Sequence, residues 1–142
     1  WPISQIGLFA PQLSYFSVSF NGITGTLPTE IGSLHASLSS LVLKGNSFRG
    51  TLPTELGSLT MLEYFYSRYA GFVGTIPTEI GRASSLTNID LEGNELTGTL
   101  PSHLFRCSNL NHLSLRKNSM EGTLPSEIGL ATQLSSFDVH FN

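Results

Sequence analysis

Three side chains near the end of the chain are of the types that hydrolysis or zinc binding uses: His112, Asp138 and His140. A nucleophilic mechanism needs a base within hydrogen-bond reach of a nucleophile, and a zinc site needs three ligands that converge. These three fall on neighbouring short strands, two columns and one strand apart, where side chains diverge. The single cysteine, Cys107, takes the place that Leu34 and Leu59 hold in other copies of its segment. It reads as a small buried hydrophobe, because a reactive thiol needs an exposed, electropositive setting. His35 and His103 read as surface polar residues. Gly25, Gly50, Gly74, Gly98 and Gly122 recur with a fixed period, so they serve a turn and not a phosphate cradle. The residues thus point away from an enzyme, and no cofactor or metal is expected. A different chemistry stands out in "LEYFYSRYAGF" from Leu62, where Tyr64, Tyr66, Arg68 and Tyr69 crowd one segment. Tyrosine and arginine are the usual anchors of protein recognition, because they offer large area, few rotors and a polar tip.

What positions them is a repeat. "GTLPTEIG" from Gly25 returns as "GTLPTELG" from Gly50, "GTIPTEIG" from Gly74, "GTLPSHLF" from Gly98 and "GTLPSEIG" from Gly122. The prolines Pro28, Pro53, Pro77, Pro101 and Pro125 are 24 or 25 residues apart. Ahead of each runs a second pattern, such as Leu38-x-x-Leu41-x-Leu43-x-x-Asn46-x-Phe48-x-Gly50. The apolar-x-apolar centre has period two, which predicts a short strand with one buried face. Proline fixes φ and lacks a donor, so it starts a turn or short helix. One repeat cannot bury such a face alone, but stacked repeats can, and the core then runs along a rod. An asparagine leaves each strand, and its amide can both donate and accept. This predicts a ladder of Asn21, Asn46, Asn94, Asn118 and Asn142.

These motifs resemble the leucine-rich repeats of the plant-type class, with the consensus L-x-x-L-x-L-x-x-N-x-L-x-G-x-I-P-x-x-L-G. The "GTLPxEIG" dialect is also similar to repeats of algal and diatom proteins. The resemblance covers nearly the whole chain. It implies an α/β repeat solenoid, a curved right-handed superhelix with a parallel concave sheet and an irregular or 3-10 convex side. It further implies binding of a protein or peptide on the concave face, in a receptor-like or extracellular setting. The alternative class is an accessory scaffold subunit of a larger complex, organellar membrane complexes included.

Residues between the buried strand positions are expected to face outward in columns across the coils. One column is Tyr15, Ser40, Tyr64, Asn88, His112 and Ser136. The next holds Tyr66 and Asp90, then come Lys44, Arg68, Glu92 and Arg116, and the last contains Phe20, Tyr69 and Lys117. From these we take Tyr15, Phe20, Lys44, Tyr64, Tyr66, Arg68, Tyr69, Asp90, Glu92 and Arg116 as candidate partner-binding residues. Asp90 and Glu92 are also expected to pair with Arg116 and Lys117 across neighbouring coils. The third full coil breaks two rules beside these anchors. Ser67 stands where Leu43 and Leu91 turn inward, and Ala70 replaces the ladder asparagine, at an expected cost of about 1–3 kcal/mol if its bonds go unreplaced. Such rule-breaking tends to mark function.

The rest sets limits. The 142 residues form one domain of about six repeats. Charged residues are only 12%, about half the usual share. A net charge of −3 offers no basic footprint for nucleic acid, and no apolar run reaches membrane-spanning length. "WPISQIG" at the start reads as the tail of an earlier repeat, and Asn142 closes the chain without a polar terminal coil. Both ends therefore read as cut from a longer chain.

Overall fold

The computed structural model describes residues 10–142; the Trp1-Pro2 segment read as an earlier repeat lies outside them. Six three-residue strands follow one another: Tyr15–Ser17, Ser40–Val42, Tyr64–Tyr66, Asn88–Asp90, His112–Ser114 and Ser136–Asp138. They pair in chain order as one parallel sheet. The register matches Tyr15 with Ser40, Ser40 with Tyr64, Tyr64 with Asn88, Asn88 with His112 and His112 with Ser136. The sequence period is therefore the sheet register. Leu41, Phe65, Ile89 and Leu113, the centres of the four inner strands, are fully buried, while Phe16 and Phe137 at the two ends are half-buried. Each such side chain contributes about 2 kcal/mol of apolar burial.

After each proline the backbone enters a 3-10 helix: Thr29–Leu34, Thr54–Ser58, Thr78–Arg82, Ser102–Arg106 and Ser126–Leu130. The prolines themselves are extended, with φ between −66° and −72°. That fits a residue that cannot donate and has its φ preset. Ile31, Leu56, Ile80 and Leu104 of these helices reach the core. The glycine that closes the phrase has a steric reason. A Cβ on Gly57 would stand 2.1 Å from the carbonyl oxygen of Glu79, and one on Gly81 would stand 2.1 Å from that of His103. The convex helices interlock there through backbone alone.

Four of the five asparagines, Asn46, Asn94, Asn118 and Asn142, bridge successive coils. Asn46 Nδ2 donates to the carbonyls of Val18 and Leu43, and its Oδ1 accepts from the amides of Asn21 and Ile23. Asn94 Nδ2 donates to Ser67 and Leu91, and its Oδ1 accepts from Ala70 and Phe72. One and two coils on, Asn118 and Asn142 each donate to two carbonyls in the same way, and each accepts from one amide, of Leu96 and of Met120. Asn21 is exposed and donates to the Ser19 carbonyl.

The expected cost of Ala70 is offset in part by the backbone. Gly71 adopts φ +82°, and the Ala70 carbonyl accepts directly from the Phe48 amide at 2.8 Å. Only a residue without Cβ fits, since a Cβ there would lie 2.5 Å from the Phe48 carbonyl oxygen. A second, lateral set of short strands is interrupted at the same point. Thr24–Gly25 pairs with Ser47–Phe48, whereas Val73–Gly74, Glu95–Gly98 and Ser119–Met120 form a separate three-stranded sheet. Across the interruption the Phe48 and Phe72 rings stack with centroids 5.0 Å apart. Ser67 turns inward as expected, and its buried hydroxyl has no hydrogen-bond partner.

Candidate functional site

The concave strands place tyrosines and cations over a pair of covered carboxylates. Tyr15, Tyr64 and Tyr69 are 59%, 38% and 50% exposed, and Phe20 is 79% exposed. Tyr66 is half-buried, its ring 6.1 Å from that of Tyr64, and Lys44 Nζ lies 4.8 Å above its centroid. Burial, then the neighbouring Tyr64 and Asp90, raise the Tyr66 phenol above its ordinary pKa.

Asp90 and Glu92 are on this face but not at its surface. The Asp90 side chain is 4% exposed and that of Glu92 12%, against 45% for Arg68, 40% for Arg116 and 45% for Lys117. Arg68 Nε donates to Asp90 Oδ2, and its Nη1 lies 3.8 Å from Glu92. Partial burial works against the Arg68 charge, but this bond and the two carboxylates more than reverse it, and its pKa rises. Glu92 accepts from the Tyr69 hydroxyl at 2.9 Å and faces Lys117 at 3.6 Å and Arg116 at 4.0 Å. Lys117 Nζ in turn donates to the Tyr69 hydroxyl at 3.1 Å. The expected pairing of Glu92 with Arg116 and Lys117 is therefore present, whereas Asp90 pairs with Arg68. Exposure was expected for the whole column containing Asp90, yet Val42 and Ser114 beside it are also buried. Long side chains from adjacent coils fold over the middle of the sheet.

The last column has a backbone signature. Phe20, Gly45, Tyr69, Gly93, Lys117 and Phe141 all take positive φ, between 49° and 69°. The rings of Phe20 and Tyr69 lie where a Cβ on Gly45 or Gly93 would be, 2.3 Å away. Glycine thus opens the seat on which the preceding coil's aromatic ring rests. Sequence reasoning gave Lys117 a pairing role only and missed its bond to Tyr69. The alternation of glycine with large residues down this column is the signal that could have found the seats.

The catalytic candidates do not assemble. His140 Nδ1 is 2.8 Å from Asp138 on the same exposed segment. The His140 amide, then its ring, hold the Asp138 carboxyl below its usual range. Among the described residues no group of three or more His, Cys, Asp or Glu is placed to hold a metal ion.

Cys107 is fully buried, and burial pushes its thiol from 9.0 up to about 11. Below pH 9 the folded and unfolded chains both keep this proton, and the stability is complete. As pH rises from 9 towards 11, the unfolded chain releases a proton that the folded chain retains, so stability falls by about 1.4 kcal/mol per unit. Comparing the chain with Cys107→Ala by urea unfolding at pH 8 and pH 10.5 should therefore show the alkaline loss for the thiol alone, about 2 kcal/mol. A difference independent of pH would contradict the assignment.

A family model for the Leucine Rich Repeat matches residues 12–34, 37–59, 85–107 and 109–130. The chain is a leucine-rich-repeat protein. The matched segments leave out the coil of Tyr64, Ser67 and Ala70, where the pattern is broken. No curated relative matches the repeats. Among solved structures, this leucine-rich-repeat chain is similar to the ectodomain of the Arabidopsis thaliana membrane receptor kinase GASSHO1/SCHENGEN3, in complex with CASPARIAN STRIP INTEGRITY FACTOR 2. The TM-score is 0.92 and the identity 30%, over 96% of this chain and 16% of that one. The plant peptide hormone receptor RGFR1, in complex with RGF2, gives a TM-score of 0.92 and 33% identity over 96% and 22%. A leucine-rich-repeat protein of Leptospira interrogans gives 0.82 and 31% over 98% and 34%. The chain thus spans at most about a third of the length of any of these three. No helix of the described residues is long and apolar enough to cross a membrane.

Proposed function

We propose that this chain is a non-catalytic recognition module that binds a protein or peptide on its concave sheet, as part of a receptor-like ectodomain outside the cell. The observation that carries the reading is the exposed tyrosine cluster on strand Tyr64–Tyr66 and at Tyr69, in a coil that departs from the repeat rules. Solvent-exposed aromatic area held on a rigid sheet is what a partner can cover at small entropic cost. Tyr15, Phe20, Lys44, Arg68 and Arg116 extend that surface. Asp90 and Glu92 act beneath it, by fixing the cations and the Tyr69 hydroxyl. Two of the similar structures carry a bound factor or hormone, which supports the same use here.

The test is selection of binders from a phage-displayed random peptide library on the immobilised chain. A variant with Tyr64→Ser, Tyr66→Ser and Tyr69→Ser, shown to be folded by circular dichroism, should bind the recovered peptides at least about tenfold more weakly. Peptides that hold the variant as tightly as the parent would remove the support for this face.

A further inference from the structure

We infer that the concave site takes an acidic peptide, with Asp or Glu side chains set against Arg68, Arg116 and Lys117; this rests on the concave-face reading above. The argument is one of charge and burial. The concave face carries Lys44, Arg68, Arg116 and Lys117, four of the seven cationic side chains of the chain. It carries three of the ten carboxylates, and one of these, Asp138, is on the last strand with His140 as its neighbour. The chain as a whole is at −3, so the remainder of the solenoid is markedly acidic and this face is a cationic island on it.

Burial sharpens the asymmetry. An ion pair that serves the fold alone needs no exposed partner. Here the carboxylates of Asp90 and Glu92 are covered, while every cation paired with them keeps 40–45% of its side chain in solvent. Three cations share those two carboxylates, and Lys44 stands apart over Tyr66. Arg116 Nε is buried, 4.0 Å from Glu92, and has no hydrogen-bond partner. That buried nitrogen is out of a ligand's reach, but the solvent-exposed parts of all three cationic side chains are held in place by the carboxylates below. A peptide carboxylate would find preordered donors and tyrosine faces beside them. An anionic segment would also be steered to this face and away from the acidic remainder.

The same phage selection tests this. Tyrosine-dependent binders should be enriched in Asp and Glu. Synthetic copies with every Glu and Asp replaced by Gln or Asn should bind at least about tenfold more weakly, and binding of the acidic forms should weaken with salt. Arg116→Gln with Lys117→Gln should shrink that preference. The fold is kept, because Arg68 and Tyr69 remain on Glu92, and thermal unfolding checks it. Lys44→Gln, whose cation is bound to no carboxylate, should act in the same direction without touching the network. Tyrosine-dependent binders with no acidic enrichment, or with neutral copies equally tight, would overturn the inference and leave the concave reading standing. If no binder depends on the tyrosines, the concave reading falls and this inference falls with it.

Discussion

Replacing Asn94 by alanine is expected to destabilise the chain by about 4 kcal/mol, more than any other ladder position. Its Oδ1 is the acceptor for the amides of Ala70 and Phe72, and its Nδ2 serves the Ser67 carbonyl. All three groups belong to buried residues, and each stranded group costs about 1–3 kcal/mol. The Leu91 carbonyl would be less affected, because Asn118 also donates to it. Asn94→Asp should offer little relief: a carboxylate still accepts from the two amides but faces the carbonyls of Ser67 and Leu91 without a donor. Asn142→Ala supplies the comparison, since that residue donates to two carbonyls and accepts from one amide at an exposed end. Urea unfolding of the three variants decides the matter. An Asn94→Ala loss no greater than that of Asn142→Ala would mean that water enters the coil freely, and the ladder would lose its energetic role. The segment it pins, Ser67 to Phe72, also carries Arg68 and Tyr69, so peptide binding should fall along with stability.

The second large effect is expected on the convex side. Gly81→Ala puts a methyl group 2.1 Å from the His103 carbonyl oxygen and 2.7 Å from its carbon. Neither is the tip of a flexible side chain. The helices Thr78–Arg82 and Ser102–Arg106 must separate, at about 3 kcal/mol. Gly57→Ala should behave alike against Glu79. At Gly129, in the last helix, a Cβ meets nothing within 4 Å, so Gly129→Ala should be neutral or slightly stabilising through reduced freedom of the unfolded chain. Thermal unfolding of this pair separates a steric role from a general preference for glycine in the phrase. Equal effects at Gly81 and Gly129 would sink the interlocking account.

The coil architecture was legible because periodicity reports burial. Leu41, Ile89 and Leu113 read as inward and are inward; Asn46, Asn94 and Asn118 read as a ladder and form one; Cys107 read as a core residue and is buried. What escaped is cross-coil reach. Alternation places Asp90 outward, but it cannot say that the Arg68 side chain, one coil earlier, lies over it. Nor does alternation see backbone handedness, so it gives no sign of the seats at Gly45 and Gly93. Ala70 looked like a loss because side-chain patterns do not show that a neighbouring glycine can turn a carbonyl into the missing partner.

That exchange at Ala70 has a mechanical consequence. A stack of repeats holds together by its nearest-neighbour couplings. Between the second and third coils, both the asparagine relay and the lateral strand pairing pause, and a stacked pair of phenylalanine rings joins the two sides. Tyr64, Tyr66 and Tyr69 sit on one bank of that seam, and Lys44 reaches across from the other to the face of Tyr66. The proposed recognition surface therefore spans a joint where ring stacking and direct backbone bonds stand in for the asparagine relay. A ligand lying along it would act as a splint, and occupancy would be felt as stiffness by coils that it never touches.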